Sequence, residues 1–246
     1  KTKARKVSIG IHEHADVKAT NVKLYGTTIE GTEADVMADG KSNHLVLPEV
    51  VGKSPVYCAL PALAVARELK ISLEVACASL RDADKPKGRM RLLRGMNGSI
   101  IIDDTYNASP KATEHGLKTL SEIETTGRKI AVLGDMLELG KFSAREHERV
   151  GEMVAASADV LFTLGVRSRK TAEAALAHGM DEANIFQHED VFKAGKELQL
   201  FLAPGDVVLV KGSQGVRAEK VVEEVMQEPE QAPELLVRQD TAWQVR

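Results

Sequence analysis

Cysteine is scarce in this 246-residue chain, and the two present, Cys58 and Cys77, have no metal-ligand spacing. A disulfide framework and a cysteine-bound metal are thereby excluded. Both thiols are expected to be reduced and buried in the Ala/Leu-rich helical patterns around them. Also missing is any apolar run near the ~20 residues that span a bilayer, so no membrane insertion is expected. The basic start Lys1 to Lys6 is not followed by a signal-peptide core. Charge of one sign is lacking too: 33 Lys and Arg face 36 Asp and Glu. No basic field points to nucleic acid, and no acidic or basic tract reads as a tail. Together these absences describe a cytoplasmic protein.

The familiar catalytic and nucleotide signatures are absent as well. No G-x-G-x-x-G follows a strand pattern, which disfavours a dinucleotide-dependent oxidoreductase. No G-x-x-x-x-G-K-[ST] cradles phosphates, and neither G-x-S-x-G nor H-E-x-x-H occurs. The seven histidines are scattered, and His115 and His147 fall in helical patterns as surface or packing residues. The chain does not begin with Met and is expected to be a piece of a longer protein.

What is present suffices for one or two domains, with 43% hydrophobic residues to build a core. Two textures divide it. Up to about Lys87 the pattern is mixed: Val7-Ser8-Ile9-Gly10-Ile11 and His44-Leu45-Val46-Leu47 alternate like strands, and Gly26, Gly31 and Gly40 mark turns. Helical spacing follows over residues 55–69, and Ser72 opens a second helix. This looks like the tail end of a larger α/β domain.

From about Gly88 strands and helices alternate regularly. Strands are predicted at residues 99–103, 129–133, 160–164, 184–186 and 207–210. Helices are predicted at 110–123, 143–156, 168–178, 191–200 and 215–225, with Ser143 and Glu146 at capping-box spacing. Such alternation implies a Rossmann-like, mostly parallel sheet with helices on both faces. The stretch Glu228-Pro229-Glu230-Gln231-Ala232-Pro233 reads as a linker to a short segment, Leu235-Leu236-Val237-Arg238, read as an edge strand. Trp243 either staples the tail to the body or lies loose.

Three of the predicted strand ends carry unusual chemistry. The first runs Ile100-Ile101-Ile102-Asp103-Asp104-Thr105-Tyr106-Asn107-Ala108-Ser109-Pro110, and adjacent carboxylates at the end of a buried strand need water, a metal or a hydroxyl-rich ligand. A solvated loop in which one Asp caps the next helix fits the same spacing. The second is Gly134-Asp135-Met136-Leu137-Glu138-Leu139-Gly140, with two carboxylates between glycines. The third, Lys211-Gly212-Ser213-Gln214-Gly215-Val216-Arg217, offers cations and amides at a helix start, a natural anion site, although a plain Gly-containing turn has the same composition.

These motifs, in this order, resemble the C-terminal domain of the Mur ligase family: Asp103 to Pro110, Ala131 to Gly140, then Ser143, His147 and Val150-Gly151, then Val208 to Ser213. The likeness is greatest to the members that add D-alanyl-D-alanine to a UDP-N-acetylmuramoyl-tripeptide. Gly52 to Leu69 and Gly88-Arg89 resemble the end of the family's central, ATP-binding domain. The resemblance therefore implies residues 1–88 from the central domain and 89–246 as the C-terminal domain.

It also implies a peptidoglycan-precursor ligase that uses ATP and Mg2+ to form an acyl phosphate, which the incoming amine attacks. Carried over, Arg89 neutralises ATP phosphate, Asp104 with Asp103 second accepts the ribose hydroxyls, and Tyr106 and Asn107 line the nucleotide side. Lys211, Ser213 and Arg217 hold the dipeptide carboxylate, and Asp135 lies near its ammonium or anchors the loop. The implied partners are these small molecules, the implied state a monomer. Where the family carries G-x-H-N-x-x-N, this chain has Gly52-Lys53-Ser54-Pro55-Val56-Tyr57-Cys58, so Ser54 and Cys58 replace the adenine-side His and Asn. The family's phosphate loop, magnesium ligands and carbamylated lysine have no counterpart here, so this chain alone is expected to be inactive. A non-catalytic ligand-binding or assembly module lacking the ATPase half is the alternative.

Overall fold

A computed structural model describes residues 3–11, 14–26 and 28–244; Lys1 and Thr2 of the basic start lie outside the described residues. The chain forms two compact units, Lys1–Lys85 and Pro86–Arg246. In the first, β1 (Ile9–Gly10) runs parallel to β2 (Val17–Tyr25), and β2, β3 (Gly31–Ala38) and β4 (Lys41–Pro48) form an antiparallel meander. Asp39 and Gly40 join β3 to β4, both at positive φ (50° and 72°). That is the backbone a two-residue type I′ hairpin requires.

Alternation buries one face of this sheet: Val17, Ala19, Ala34, Val36, Leu45 and Leu47 pack with Val56, Leu60 and Leu63 of α1 (Lys53–Glu68). Ser72 caps α2 (Leu73–Asp82) by accepting from Val75 N. Cys77 is buried as expected, but Cys58 is exposed. On α1 it falls on the side of Tyr57 and Val65, which are exposed, and away from the buried Val56–Leu60–Leu63 stripe.

The second unit holds a six-stranded sheet in the order β5-β6-β10-β7-β8-β9. Its strands and helices, in chain order, are β5 (Arg91–Arg94), β6 (Ile100–Asp104), α3 (Pro110–Glu122), β7 (Lys129–Gly134), α4 (Ser143–Ala155) and β8 (Val160–Leu164). There follow α5 (Arg169–Ala177), β9 (Ile185–His188), α6 (Val191–Phe201), β10 (Val207–Lys211), α7 (Glu219–Val225), α8 (Ala232–Leu235) and α9 (Thr241–Gln244). All neighbours pair parallel except β5, an antiparallel edge strand too short to stand out in the sequence. Ile101-Ile102 and Val207-Val208-Leu209-Val210 are buried throughout, as strands covered on both faces must be. One face packs Ile101, Val132, Phe162 and Val210 against Ala194, Leu198, Val221 and Val225. On the other, Gly116 of α3 lets the helix approach Leu209; a Cβ there would lie 3.2 Å from that side chain.

Three further sequence expectations require correction. Leu235-Leu236-Val237-Arg238 is not an edge strand: Pro233 starts α8, Leu236 joins the core, and the outer edge of β5 meets Met226 and Gln227 instead. The capping box at Ser143 does not form. A 3-10 turn, Gly140–Phe142, runs straight into α4, so Ser143 is already helical and its Oγ has no partner among the described residues. The helix predicted from Gly215 begins only at Glu219. A 3-10 turn at Gln214–Val216 precedes it, and Arg217 between them is left-handed (φ 63°).

Candidate functional site

The strand order places β10 between β6 and β7, so the chain reverses its direction of growth there, and ligands of open α/β sheets bind beyond the strand ends at such a point. Register sets the site. Lys211 pairs with Asp104 on one side and with Leu133 on the other, so all three loaded loops leave the same sheet edge.

Side chains alternate across a strand, which separates the two adjacent carboxylates. Asp104 Oδ2 lies 2.5 Å from Lys211 Nζ, and Oδ1 accepts Met90 N at 3.3 Å. Lys211 Nζ also donates to the Asn107 carbonyl at 2.9 Å. Lys211 is 2% exposed and Asp104 6%. Burial pushes the Asp104 carboxyl above its ordinary value, against the opposing pull of Lys211 and the Met90 amide. Asp103 is fully buried; Oδ1 accepts Thr105 N (3.2 Å) and Thr105 Oγ1 (2.6 Å), while Oδ2 has no partner among the described residues. Desolvation, aided by the neighbouring Asp104 charge, pushes its pKa up to about 6.

Arg89 and Tyr106 meet at the same edge, the guanidinium carbon 4.1 Å from the ring centroid, with the tyrosine half exposed. Asn107 uses its Oδ1 on Ala108 N, which fixes the turn into α3, and Ser109 caps that helix with Pro110 in its first turn. Ser213 is a hub. Its Oγ accepts Leu137 N at 2.9 Å and its amide donates to the Asp135 carbonyl at 3.1 Å.

The Asp135 side chain turns toward the loop after β8. Its Oδ1 accepts Ser168 N at 2.7 Å and Oδ2 lies 3.7 Å from Arg167. This is the loop-anchor arrangement. His147, buried beneath that loop, accepts Met136 N on Nε2 at 3.0 Å, with its Nδ1 2.7 Å from Ser143 O. It is the packing residue the sequence suggested.

A cleft of about 670 Å³ opens over these loops, lined by Ser109, Leu137, Glu138, Ser213, Arg217 and Trp243. Arg217 donates from Nε to Glu219 (2.6 Å) and from Nη1 to the Trp243 carbonyl (3.0 Å), with its guanidinium 5.2 Å from the indole centroid. Trp243 is thus a staple.

The loops therefore converge, but not every side chain serves as the sequence suggests. Lys211 is committed to Asp104 and is no free cation for a ligand carboxylate. The helix start expected to follow Gly215 is not at the loop: α7 begins only at Glu219, after a 3-10 turn and the left-handed Arg217. Arg89 is exposed at this edge, Arg217 lines the cleft, and Arg167, also exposed, lies beside Asp135. Glu219 and Arg238, which hold Arg217 and the post-β6 loop, were missed: Glu219 reads as an ordinary helix residue and Arg238 as part of a tail. No group of three or more His, Cys, Asp or Glu suited to a metal occurs among the described residues.

Sheet order and cleft position place the second unit among α/β domains that receive ligands beyond their strand ends. Similarity to known proteins makes the class specific: residues 88–214 match the family described as Mur ligase, glutamate ligase domain, and the chain belongs to the Mur ligase family. It is 31% identical over 203 residues to the UDP-N-acetylmuramoyl-tripeptide–D-alanyl-D-alanine ligase of Bacillus subtilis, covering 81% of this chain and 43% of that protein. The ligase of the same name from Mycobacterium tuberculosis is 37% identical over 185 residues, covering 67% and 36%. Among solved structures, MurF ligase from Thermotoga maritima in complex with ADP aligns with a TM-score of 0.75 and 27% identity, covering 92% of this chain and 49% of that one. The chain spans less than half the length of these relatives.

Proposed function

We propose that this chain is the C-terminal portion of an ATP-dependent ligase that joins D-alanyl-D-alanine to a UDP-N-acetylmuramoyl-tripeptide in peptidoglycan precursor synthesis. Relatives bearing that name, and a MurF ligase solved with ADP, support the reading. The observation that carries it is the convergence of Arg89–Tyr106, Asp104–Lys211 and Arg217 at one sheet edge beside an open cleft. Residues 1–85 are assigned to the end of the central, ATP-binding domain. A cytoplasmic location goes with this reading; among the described residues no helix is long and apolar enough to cross a membrane.

Each side chain receives a role consistent with its partners. Arg89, exposed and braced on Tyr106, suits a nucleotide phosphate, with the tyrosine ring as an adjoining apolar surface. Arg217 suits the carboxylate end of the dipeptide. Asp104 and Lys211 fix the loop between Thr105 and Asn107 rather than touching ligand, and Asp103 stiffens its root through Thr105. Ser213 and Asp135 set the shape of the cleft floor. Arg89 with Tyr106 suits a nucleotide, and no group of three or more His, Cys, Asp or Glu gathers among the described residues. Acyl-phosphate formation is assigned to the family's phosphate loop, which has no counterpart in this sequence. In such a reaction the mobile acyl phosphate and the amine must be held in line and shielded from water, a role suited to a domain that presents one substrate.

Calorimetry of ADP and of D-alanyl-D-alanine against the 246-residue chain tests the reading. Binding of either, with Arg89→Ala weakening only ADP and Arg217→Ala weakening only the dipeptide, supports it. Unchanged affinities in both variants overturn the assignments.

A further inference from the structure

We infer that Glu219 and Arg238 are positioning residues of the cleft: one buried carboxylate holds Arg217 at the rim and, through Arg238, holds the loop after β6. Glu219 is fully buried at the start of α7, and each of its oxygens takes a different guanidinium. Oε1 accepts Arg217 Nε at 2.6 Å; Oε2 accepts Arg238 Nη2 at 2.7 Å. Arg238 then reaches the post-β6 loop, donating from Nη2 to Thr105 O at 2.6 Å and from Nη1 to Tyr106 O at 3.1 Å. Tyr106 carries Arg89 on its ring, and the next residue, Asn107, gives its carbonyl to Lys211. One carboxylate therefore couples both cations that face ligand.

Two further features mark this cluster as more than packing. Arg217 and Arg238 are both left-handed, with φ of 63° and 57°, a conformation disfavoured for residues with a Cβ. Such backbone persists where surroundings over-determine it, and it gathers at functional sites. Two guanidiniums on one carboxylate also leave one surplus positive charge. Arg238 is 5% exposed and Arg217 15%, and Arg217 is the one that lines the cleft, together with Glu138. A ligand carboxylate or phosphate is the group the Arg217 guanidinium would take there. The inference rests on the proposed ligand cleft, although the mechanical part of it does not.

Trp243 is the only tryptophan of the chain, and both guanidiniums lie against its ring, at 5.2 Å and 5.9 Å. Its fluorescence reports the clamp directly. The test compares Glu219→Gln and Arg238→Ala with the unaltered 246-residue chain by amide hydrogen exchange, acrylamide quenching of Trp243, and calorimetry with ADP and D-alanyl-D-alanine. Where Glu219→Gln does not fold, Arg238→Ala, which keeps Glu219 paired with Arg217, decides.

Arg238→Ala is expected to speed exchange at residues 105–107 about tenfold, leave β7 and β8 protected, raise quenching of Trp243 and weaken ADP about tenfold. Unchanged exchange and quenching overturn the clamp. Faster exchange with ADP and dipeptide affinities within about twofold of the unaltered chain reduces the cluster to structure and overturns the positioning role. If the unaltered chain binds neither ligand, the functional reading falls, and the clamp is judged by exchange and quenching alone.

Discussion

Lys211 Nζ sits 2.5 Å from Asp104 Oδ2 at the ends of two neighbouring parallel strands, both groups shielded from water. This pair fixes the geometry of the whole edge, because the same ammonium holds the Asn107 carbonyl. Removing one partner strands the other charge in the interior. Lys211→Met is therefore expected to destabilise the fold by about 3–5 kcal/mol, and the double replacement Lys211→Met with Asp104→Leu by much less. Denaturant unfolding of the two singles and the double closes the cycle. Additive losses would contradict the pairing.

Asp103 gives the molecule a pH dependence with a definite sign. Its folded pKa of about 6 lies above the 3.8 expected for an unperturbed carboxyl. The folded state thus holds the proton more tightly, and the group favours folding at low pH and opposes it as pH rises from about 4 to about 6. Asp103→Asn mimics the protonated form and keeps an acceptor for Thr105. The stability difference between Asp103→Asn and the unaltered chain is expected to grow by up to about 3 kcal/mol across that window and stay flat above pH 7. Urea titrations at pH 4, 5, 6 and 7 check this, and a flat difference throughout would refute it.

Gly165 permits the Asp135 anchor. It has φ of 107°, and a Cβ there would fall 2.7 Å from the Asp135 carboxylate carbon. Gly165→Ala combines a strained backbone with a clash, so a loss of about 2 kcal/mol is expected, by analogy with other overpacked or left-handed sites. Thermal unfolding measures it. Gly40→Ala, whose Cβ would meet nothing within 4 Å although φ is 72°, carries the backbone cost alone and should lose less.

Arg89 is exposed, with its face resting on Tyr106. Arg89→Ala should leave the unfolding midpoint within about 2 °C, because surface substitutions change stability little. It should weaken ADP roughly tenfold or more, the size of a charge-assisted hydrogen bond. Equal ADP affinity in both proteins would remove Arg89 from the nucleotide site.

The alternation of buried strands with amphipathic helices after Gly88 was legible because parallel strands covered on both faces read as continuous apolar runs such as Ile100-Ile101-Ile102. The loaded strand ends were legible for a complementary reason, since polar residues interrupt those runs where the sheet stops. Side-chain commitment was not. Nothing in Lys211-Gly212-Ser213 says that the lysine turns back to Asp104, because that contact depends on β10 lying beside β6, 107 residues away. The same holds for Arg238, whose partners Thr105 and Glu219 belong to the loop after β6 and to the start of α7. Local signals misled where tertiary packing outweighed them. Ser143 and Glu146 have the spacing of a cap, yet the preceding turn at Gly140–Phe142 already supplies helical backbone.

The most direct test of the account is amide chemical-shift mapping of the 246-residue chain with added ADP and with added D-alanyl-D-alanine. The expected shifts gather at residues 88–90, 104–109 and 211–217, the carboxyl ends of β6 and β10 and the segment that packs on them. Shifts confined to the opposite ends of these strands, or no shifts with either compound at millimolar concentration, would contradict it.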